Sequence, residues 1–133
     1  MRLNKTFSIV FLFLILMGNS FSQNDEEFRE KACCNFNEGL RSEIDGIVLS
    51  ALINVMRMYH DYPTEDYDNI NKNLDTLIVE GSTAQIRFVA HIIKKYLQDE
   101  TDLDWMMDYS NEAIQHYFIL LSASNVRKIA YGY

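Results

Sequence analysis

Two adjacent cysteines, Cys33 and Cys34, carry the most reactive side chains of this chain. In an oxidising compartment, the two cysteines can form a disulfide with each other, form disulfides with another chain, or stay reduced. A bond between neighbours closes a strained ring that fits poorly in a regular helix, and strain makes a disulfide easily reduced. The sequence has no C-x-x-C motif. We therefore predict a structural or intermolecular disulfide in preference to redox catalysis.

Three histidines offer the only nitrogen ligands for a metal, and they fall on three different predicted helices. His60, His91 and His116 each lack a second ligand three or four residues further along the chain. Zinc needs three or four converging ligands, and nothing in this spacing indicates convergence. The sequence therefore predicts no metal site and no cofactor.

Acidic residues form two clusters in predicted loops. The first contains Asp61, Glu65, Asp66 and Asp68; the second contains Asp99, Glu100, Asp102, Asp104 and Asp108. Neither has the residue order or the central glycine of a calcium-binding EF-hand loop, and helix capping and turn solvation explain most of them. The chain also lacks the usual hydrolase, metalloprotease and phosphate-binding motifs. An enzymatic role is thus less favoured than a binding role.

A basic strip and an aromatic edge are the two predicted partner surfaces. On the third long helix, Arg87, His91, Lys94 and Lys95 lie away from the apolar stripe. They form either a solvated face paired with neighbouring acids or a recognition surface for an acidic partner. Aromatic and methionine side chains mark interface hot spots when they are exposed. Tyr62 and Tyr67 follow one predicted helix end, and Trp105, Met106 and Tyr109 follow another. We expect these two helix ends to lie on the same edge of the molecule, and we call the five residues the aromatic edge.

Residues 1 to 22 have the pattern of a cleavable secretory signal peptide. Arg2 and Lys5 precede an apolar run of about 11 residues, and small polar residues follow it. That run is too short for a stable membrane span, which takes roughly 20 residues. We predict one helical domain over residues 23–133 that is exported and keeps no membrane span after cleavage.

Cleavage would also make the protein more acidic. Residues 1 to 22 hold two of the 12 basic residues and none of the 19 acidic ones, so the net charge changes from −7 to −9. Nucleic acid binding is disfavoured, because it requires basic side chains that displace counterions from phosphates.

Apolar residues recur at helical spacing throughout the remaining chain. Helices are predicted over residues 25–36, from Ser42 to about residue 60, over residues 66–80, from a Thr83 cap to about residue 98, and from a Ser110 cap to about residue 122. A short helical turn is predicted within residues 103–109. Gly81 fits a left-handed helix cap, and Ile44 and Ile47 are expected on the buried face.

The chain also aligns with itself at an offset of about 39 residues. Ile47, Ala51 and Ile53 then lie over Ile86, Ala90 and Ile92. The offset is close to the period of HEAT-type helical hairpins. We predict a small right-handed, all-α stack of two HEAT-like hairpins; an irregular four- to five-helix bundle is the alternative.

Three segments carry a resemblance to a protein family: residues 49–55, the motifs Asp61-Tyr62-Pro63 and Asp66-Tyr67, and residues 74–90. The most specific part runs from Gly81 through Thr83 and Arg87 to Ala90. These segments resemble small exported bacterial proteins with HEAT-like hairpins and no established function. The resemblance implies a helical-repeat fold and a periplasmic or secreted location in a Gram-negative bacterium. It implies no activity.

The functional expectation is therefore a non-catalytic interaction module that binds another, unidentified protein. The alternative is a redox-sensitive or enzymatic protein that acts through the Cys33-Cys34 pair.

Overall fold

The computed structural model describes the backbone of residues 25–131 and the side chains of residues 25–124. This part of the chain contains α1 (25–40), α2 (Asp45–Asp61), α3 (Asp68–Glu80), α4 (Ala84–Leu97), a 3-10 turn (Asp104–Met106) and α5 (Asn111–Tyr131). Its regular elements are all helical and include no strand, which confirms the all-α prediction. The predicted signal peptide lies outside the described residues and stays a prediction.

The chain divides into two units between residues 34 and 35. The division falls within α1. In the second unit, the end of α1 is held in the core by Leu40, which is 2% exposed. A Cβ atom at Gly39 would lie 2.8 Å from Cβ of Ala51. Two small residues therefore allow the end of α1 to approach α2 closely.

Helix α4 is the centre of the second unit. It packs against α2, α3 and α5, most extensively against α3, and α2 also packs against α5. Its predicted stripe is buried at Ile86, Val89, Ala90 and Ile93, each of them at most 1% exposed. Because α4 has neighbours on several sides, its apolar surface is wider than a single face.

Two predicted helix caps are confirmed by hydrogen bonds. The Thr83 hydroxyl accepts from the backbone N–H of Ile86 at 3.2 Å, and the Ser110 hydroxyl accepts from that of Ala113 at 3.2 Å. These bonds satisfy backbone donors that the first turn of a helix leaves without an intrahelical partner. They fix where α4 and α5 begin, although α5 runs on to Tyr131 instead of ending near residue 122.

The predicted start of α2 is wrong. Ser42 accepts a hydrogen bond from the backbone N–H of Ile44 at 3.1 Å in a local turn, and the helix begins only at Asp45. Ile44 and Ile47, which were expected to be buried, are 61% and 46% exposed. The buried face starts at Val48 instead, because the first turn of α2 lies beyond the packing surface.

Gly81 ends α3, but the prediction of a left-handed cap is wrong. Its φ is −53° and its ψ is 135°, which is ordinary extended backbone. A Cβ at this position would lie 2.6 Å from the carbonyl oxygen of Leu77. Glycine is therefore required here by close approach of the chain and not by a positive φ.

The structure agrees with the repeat alignment at some positions and differs from it at others. Helices α2 and α4 begin at residues 45 and 84, which matches the 39-residue offset. Ala51 and Ala90 are both buried, whereas Ile47 is 46% exposed and Ile86 is 1% exposed. The HEAT-like repeat itself stays a prediction. No helix among the described residues has the length and apolar character needed to cross a membrane.

Candidate functional site

An apolar groove lies where the 3-10 turn meets the first two turns of α5. We call it the Trp105 groove; it has a volume of about 250 Å³ and is lined by Trp105, Met106, Tyr109, Ala113, Ile114 and Tyr117. Met106 and Ile114 are each 1% exposed and anchor the two elements in the core. The groove is therefore built on positions that core packing holds in place.

Three aromatic rings give the groove a fixed shape. Trp105 packs edge-on against Tyr109, with ring centroids 6.1 Å apart, and against Tyr117, with centroids 5.1 Å apart. Despite these contacts, Trp105 is 49% exposed and Tyr109 is 52% exposed. Edge-to-face pairs orient the rings, so a large apolar area faces solvent in a defined arrangement.

A second, larger cavity lies where the end of α2 meets the segment that follows α4. We call it the tyrosine–carboxylate cleft. It has a volume of about 740 Å³ and is lined by Tyr59, His60, Pro63, Tyr96, Asp99, Glu100, Thr101, Asp102 and Asp104. The two predicted helix ends therefore do meet at one edge, as expected.

Polar side chains of the cleft form hydrogen bonds with one another. The Tyr96 hydroxyl donates to Oδ1 of Asp104 at 2.5 Å, and Nδ1 of His60 contacts the same oxygen at 3.1 Å. The Tyr59 hydroxyl donates to Asp99 at 3.1 Å. These bonds join α2 and α4 to the segment that carries the 3-10 turn, so the cleft positions Trp105.

The electrostatics of the cleft oppose proton transfer near neutral pH. The hydrogen bonds from Tyr96 and then from His60 lower the pKa of Asp104. Burial, followed by the bond to Asp104, raises the pKa of Tyr96 well above its ordinary value of 10.0. A general acid or base works best with a pKa near the operating pH. Asp104 instead stays ionised and Tyr96 stays protonated.

Asp99 adopts an unusual backbone conformation beside this cleft. Its φ of 56° is in the left-handed region. Its N–H donates to the carbonyl of Tyr96 at 3.0 Å, and the N–H of Glu100 donates to that of Lys95 at 2.8 Å. This is the Schellman helix ending, in which glycine is the usual left-handed residue. The side chain that replaces glycine here is the one that accepts from Tyr59.

The basic strip is largely engaged by neighbouring groups. Arg87 donates to the carbonyl of Gly81 at 2.5 Å, Lys94 pairs with Asp75, and Lys95 pairs with Glu100 at 2.8 Å. Of the four, His91 is exposed and the other three are half-buried. These contacts favour the interpretation of a solvated face paired with neighbouring acids.

Two of the five residues predicted on the aromatic edge are buried, so the prediction is wrong for them. Tyr67 is 7% exposed and Met106 is 1% exposed, so both belong to the core. Tyr67 is buried because its ring packs against Tyr59 and its hydroxyl donates to the carbonyl of Tyr62 at 2.8 Å. Trp105 and Tyr109 are exposed as expected, and Tyr62 is half-buried.

Sequence reasoning missed the role of Tyr59, His60 and Tyr96 in the cleft. Tyr59 and Tyr96 pack edge-on with centroids 5.2 Å apart, although 37 residues separate them in the chain. No local spacing could reveal this pair. The one available signal was the offset of the proposed repeat, which brings the two helix ends near one another in the alignment.

Cys33 is half-buried and Cys34 is exposed, and α1 continues through both positions. The disulfide prediction stays a prediction. Among the described residues, no three His, Cys, Asp or Glu side chains lie close enough together to hold a metal ion.

Comparison with known proteins gives no matching family model, no similar curated protein and no similar solved structure.

Proposed function

We propose that this protein is an exported, non-catalytic interaction module that binds another protein through the Trp105 groove. The proposal includes cleavage after residue 22, a periplasmic or secreted location in a Gram-negative bacterium, and a HEAT-like hairpin stack. One observation carries it, namely that Trp105 and Tyr109 are oriented by ring packing yet remain about half exposed.

Tryptophan and tyrosine are enriched among the residues that contribute most binding energy at protein interfaces, because they bury a large area for few rotatable bonds. Placing them half in water gives up favourable burial in the isolated protein. A partner that covers the groove would recover it. The fixed ring geometry also lowers the entropy that ordering the interface would cost.

The tyrosine–carboxylate cleft supports a binding role and not acid–base chemistry. The pKa of Asp104 is lowered and that of Tyr96 is raised, so both lie further from neutral pH than usual. The tyrosine hydroxyls of the cleft donate hydrogen bonds to its carboxylates. In this proposal the cleft holds the 3-10 turn in place beneath Trp105.

Capture of the partner from the envelope fraction of the exporting cell tests the proposal. The mature protein, the Trp105→Ala variant and the Val79→Ala variant serve as baits. Val79 is 76% exposed on α3 and is the matched control for loss of an exposed apolar side chain. We expect Trp105→Ala to lose the captured protein and Val79→Ala to retain it, with helical circular dichroism intact in both variants. Equal capture by all three baits would contradict the assignment of the groove.

A further inference from the structure

We infer that the segment occupying the Trp105 groove is cationic and amphipathic: an apolar side chain enters the groove, and flanking Lys or Arg side chains face the carboxylates beside it. The inference rests on the proposed function and adds the chemistry of the partner. It is carried by the negative charge of the segment that forms the groove, whose exposed acids Asp108 and Glu112 we call the rim.

Carboxylates accompany the groove residues at regular spacing. Three groove residues, Trp105, Tyr109 and Ala113, are each directly preceded by an acid, and these acids are Asp104, Asp108 and Glu112. All three acids are exposed. Asp104 is engaged in the cleft by Tyr96 and His60, whereas Asp108 and Glu112 place two exposed negative charges next to the groove residues Tyr109 and Ala113 in the chain.

No lysine or arginine in this part of the sequence offsets that charge. From Tyr96 to Val126 the chain contains six acidic residues, Asp99, Glu100, Asp102, Asp104, Asp108 and Glu112, and neither Lys nor Arg. Arg57 of α2 brings one positive charge to this segment, because its guanidinium donates to the carbonyl of Tyr109, and the segment stays net acidic. Lys95 offsets only Glu100 among the six acids, and Lys94 is paired with Asp75.

The same charges disfavour other occupants. A second copy of the mature chain would bring its own net charge of −9 against an acidic rim, and an anionic segment would meet the same repulsion. A purely hydrophilic cation would leave the apolar groove unfilled. An apolar anchor with basic flanks satisfies both features, and a groove of about 250 Å³ accommodates side chains of aliphatic size.

Trp105 is the only tryptophan of the chain, so its fluorescence reports directly on the groove. The mature protein is titrated with three short synthetic peptides of equal length: alternating Leu and Lys blocks, Leu and Glu blocks, and Ser and Lys blocks. We expect the Leu/Lys peptide to shift the Trp105 emission and to bind at least about tenfold more tightly than either of the others. Its affinity should fall as salt is added.

The outcomes separate this inference from the proposed function. Equal binding of the Leu/Glu peptide would overturn the cationic partner and leave binding at the groove intact. Equal binding of the Ser/Lys peptide would overturn the apolar anchor. If none of the peptides shifts Trp105 while capture of the native partner still depends on Trp105, the inference fails and the proposed function stands.

A pair of charge variants tests the rim directly. We expect Asp108→Asn with Glu112→Gln to weaken binding of the Leu/Lys peptide by about threefold to tenfold and to flatten its salt dependence. The control, Glu43→Gln with Glu80→Gln, removes the same charge from exposed positions elsewhere and should change affinity by less than about twofold. Equal effects of the two double variants would show that only net charge matters and would overturn the rim assignment.

Discussion

The Trp105 groove and the tyrosine–carboxylate cleft lie on neighbouring parts of the same segment. They differ in whether their side chains are hydrogen-bonded within the protein or exposed to solvent. In the cleft, Tyr59 and Tyr96 donate to carboxylates of the same molecule. In the groove, Trp105 and Tyr109 keep about half of their surface in water. The polar groups of the larger cavity therefore mainly join elements of the protein, whereas the smaller cavity keeps exposed apolar surface. Cavity size alone would favour the cleft over the groove that we propose as the binding site.

Three consecutive residues of the 3-10 turn explain how one segment builds both regions. Asp104 lines the cleft, Trp105 lines the groove, and Met106 is 1% exposed in the core. With three residues per turn, successive side chains point about 120° apart. A single short turn can thus be held by a polar contact on one side and a core contact on another while it presents tryptophan on the third.

Removing the core anchor should disturb both regions at once and have the largest effect. We expect Met106→Ala to lower the free energy of unfolding by about 2–4 kcal/mol, because it leaves a cavity beneath the turn. Urea denaturation measures this loss. Met107→Ala is the control, since Met107 is only half-buried. Equal destabilisation by the two variants would show that Met106 does not anchor the turn.

Tyr96→Phe should affect the cleft alone. It removes the hydroxyl that donates to Asp104, and we expect a loss of about 1 kcal/mol at neutral pH. Because the pKa of Tyr96 is raised in the folded state, its contribution is complete below about pH 10 and is lost as the pH rises further. Melting temperatures of the wild type should therefore fall more steeply above pH 10 than those of Tyr96→Phe. Parallel curves would contradict this.

The stability of the cleft at acidic pH should depend on Asp104. Its pKa lies below the ordinary value of 3.8, so its contribution is complete above that pH and is lost as the pH falls through the lowered pKa. We expect Asp104→Asn to be less stable than the wild type at neutral pH and the difference to shrink in acid. Thermal melts across the acidic range measure it, and a constant difference would rule out this linkage.

An effect of similar size is expected at Asp99, where the backbone conformation favours glycine and the hydrogen bond from Tyr59 requires the carboxylate. Its φ of 56° favours glycine, so Asp99→Gly should be more stable than Asp99→Ala by about 1 kcal/mol. Both variants lose the bond from Tyr59, which makes their difference a measure of the backbone alone. Urea denaturation of the pair gives this value, and equal stabilities would mean that the helix ending relaxes.

The smallest effect is expected on the outer face of α5. Leu120 is 56% exposed, and we expect Leu120→Ser to change the free energy of unfolding by no more than about 0.5 kcal/mol. Phe118→Ala, at a position that is 1% exposed on the same helix, is the contrast and should cost several times as much. A thermal melt of each variant distinguishes them.

Much of the fold could be predicted from the sequence because helix signals are local. The caps at Thr83 and Ser110 and the buried stripe of α4 follow from residue type and spacing, and the structure confirms them. The start of α2 was missed because a serine that caps a helix and one that closes a local turn look alike in sequence. Gly81 was correctly placed at a helix end, but for the wrong physical reason.

The sequence by itself determined the helical class and the acidic charge, and it named Trp105 and Tyr109 among the candidate contacts. Only the tertiary structure decided which aromatic residues the core absorbs and which acids the hydroxyls engage. Tyr67 and Met106 are buried, and Asp104 binds Tyr96 and His60, through contacts between different helices. Periodicity specifies which side of a helix is apolar, but the neighbours that cover that side are set by long-range packing.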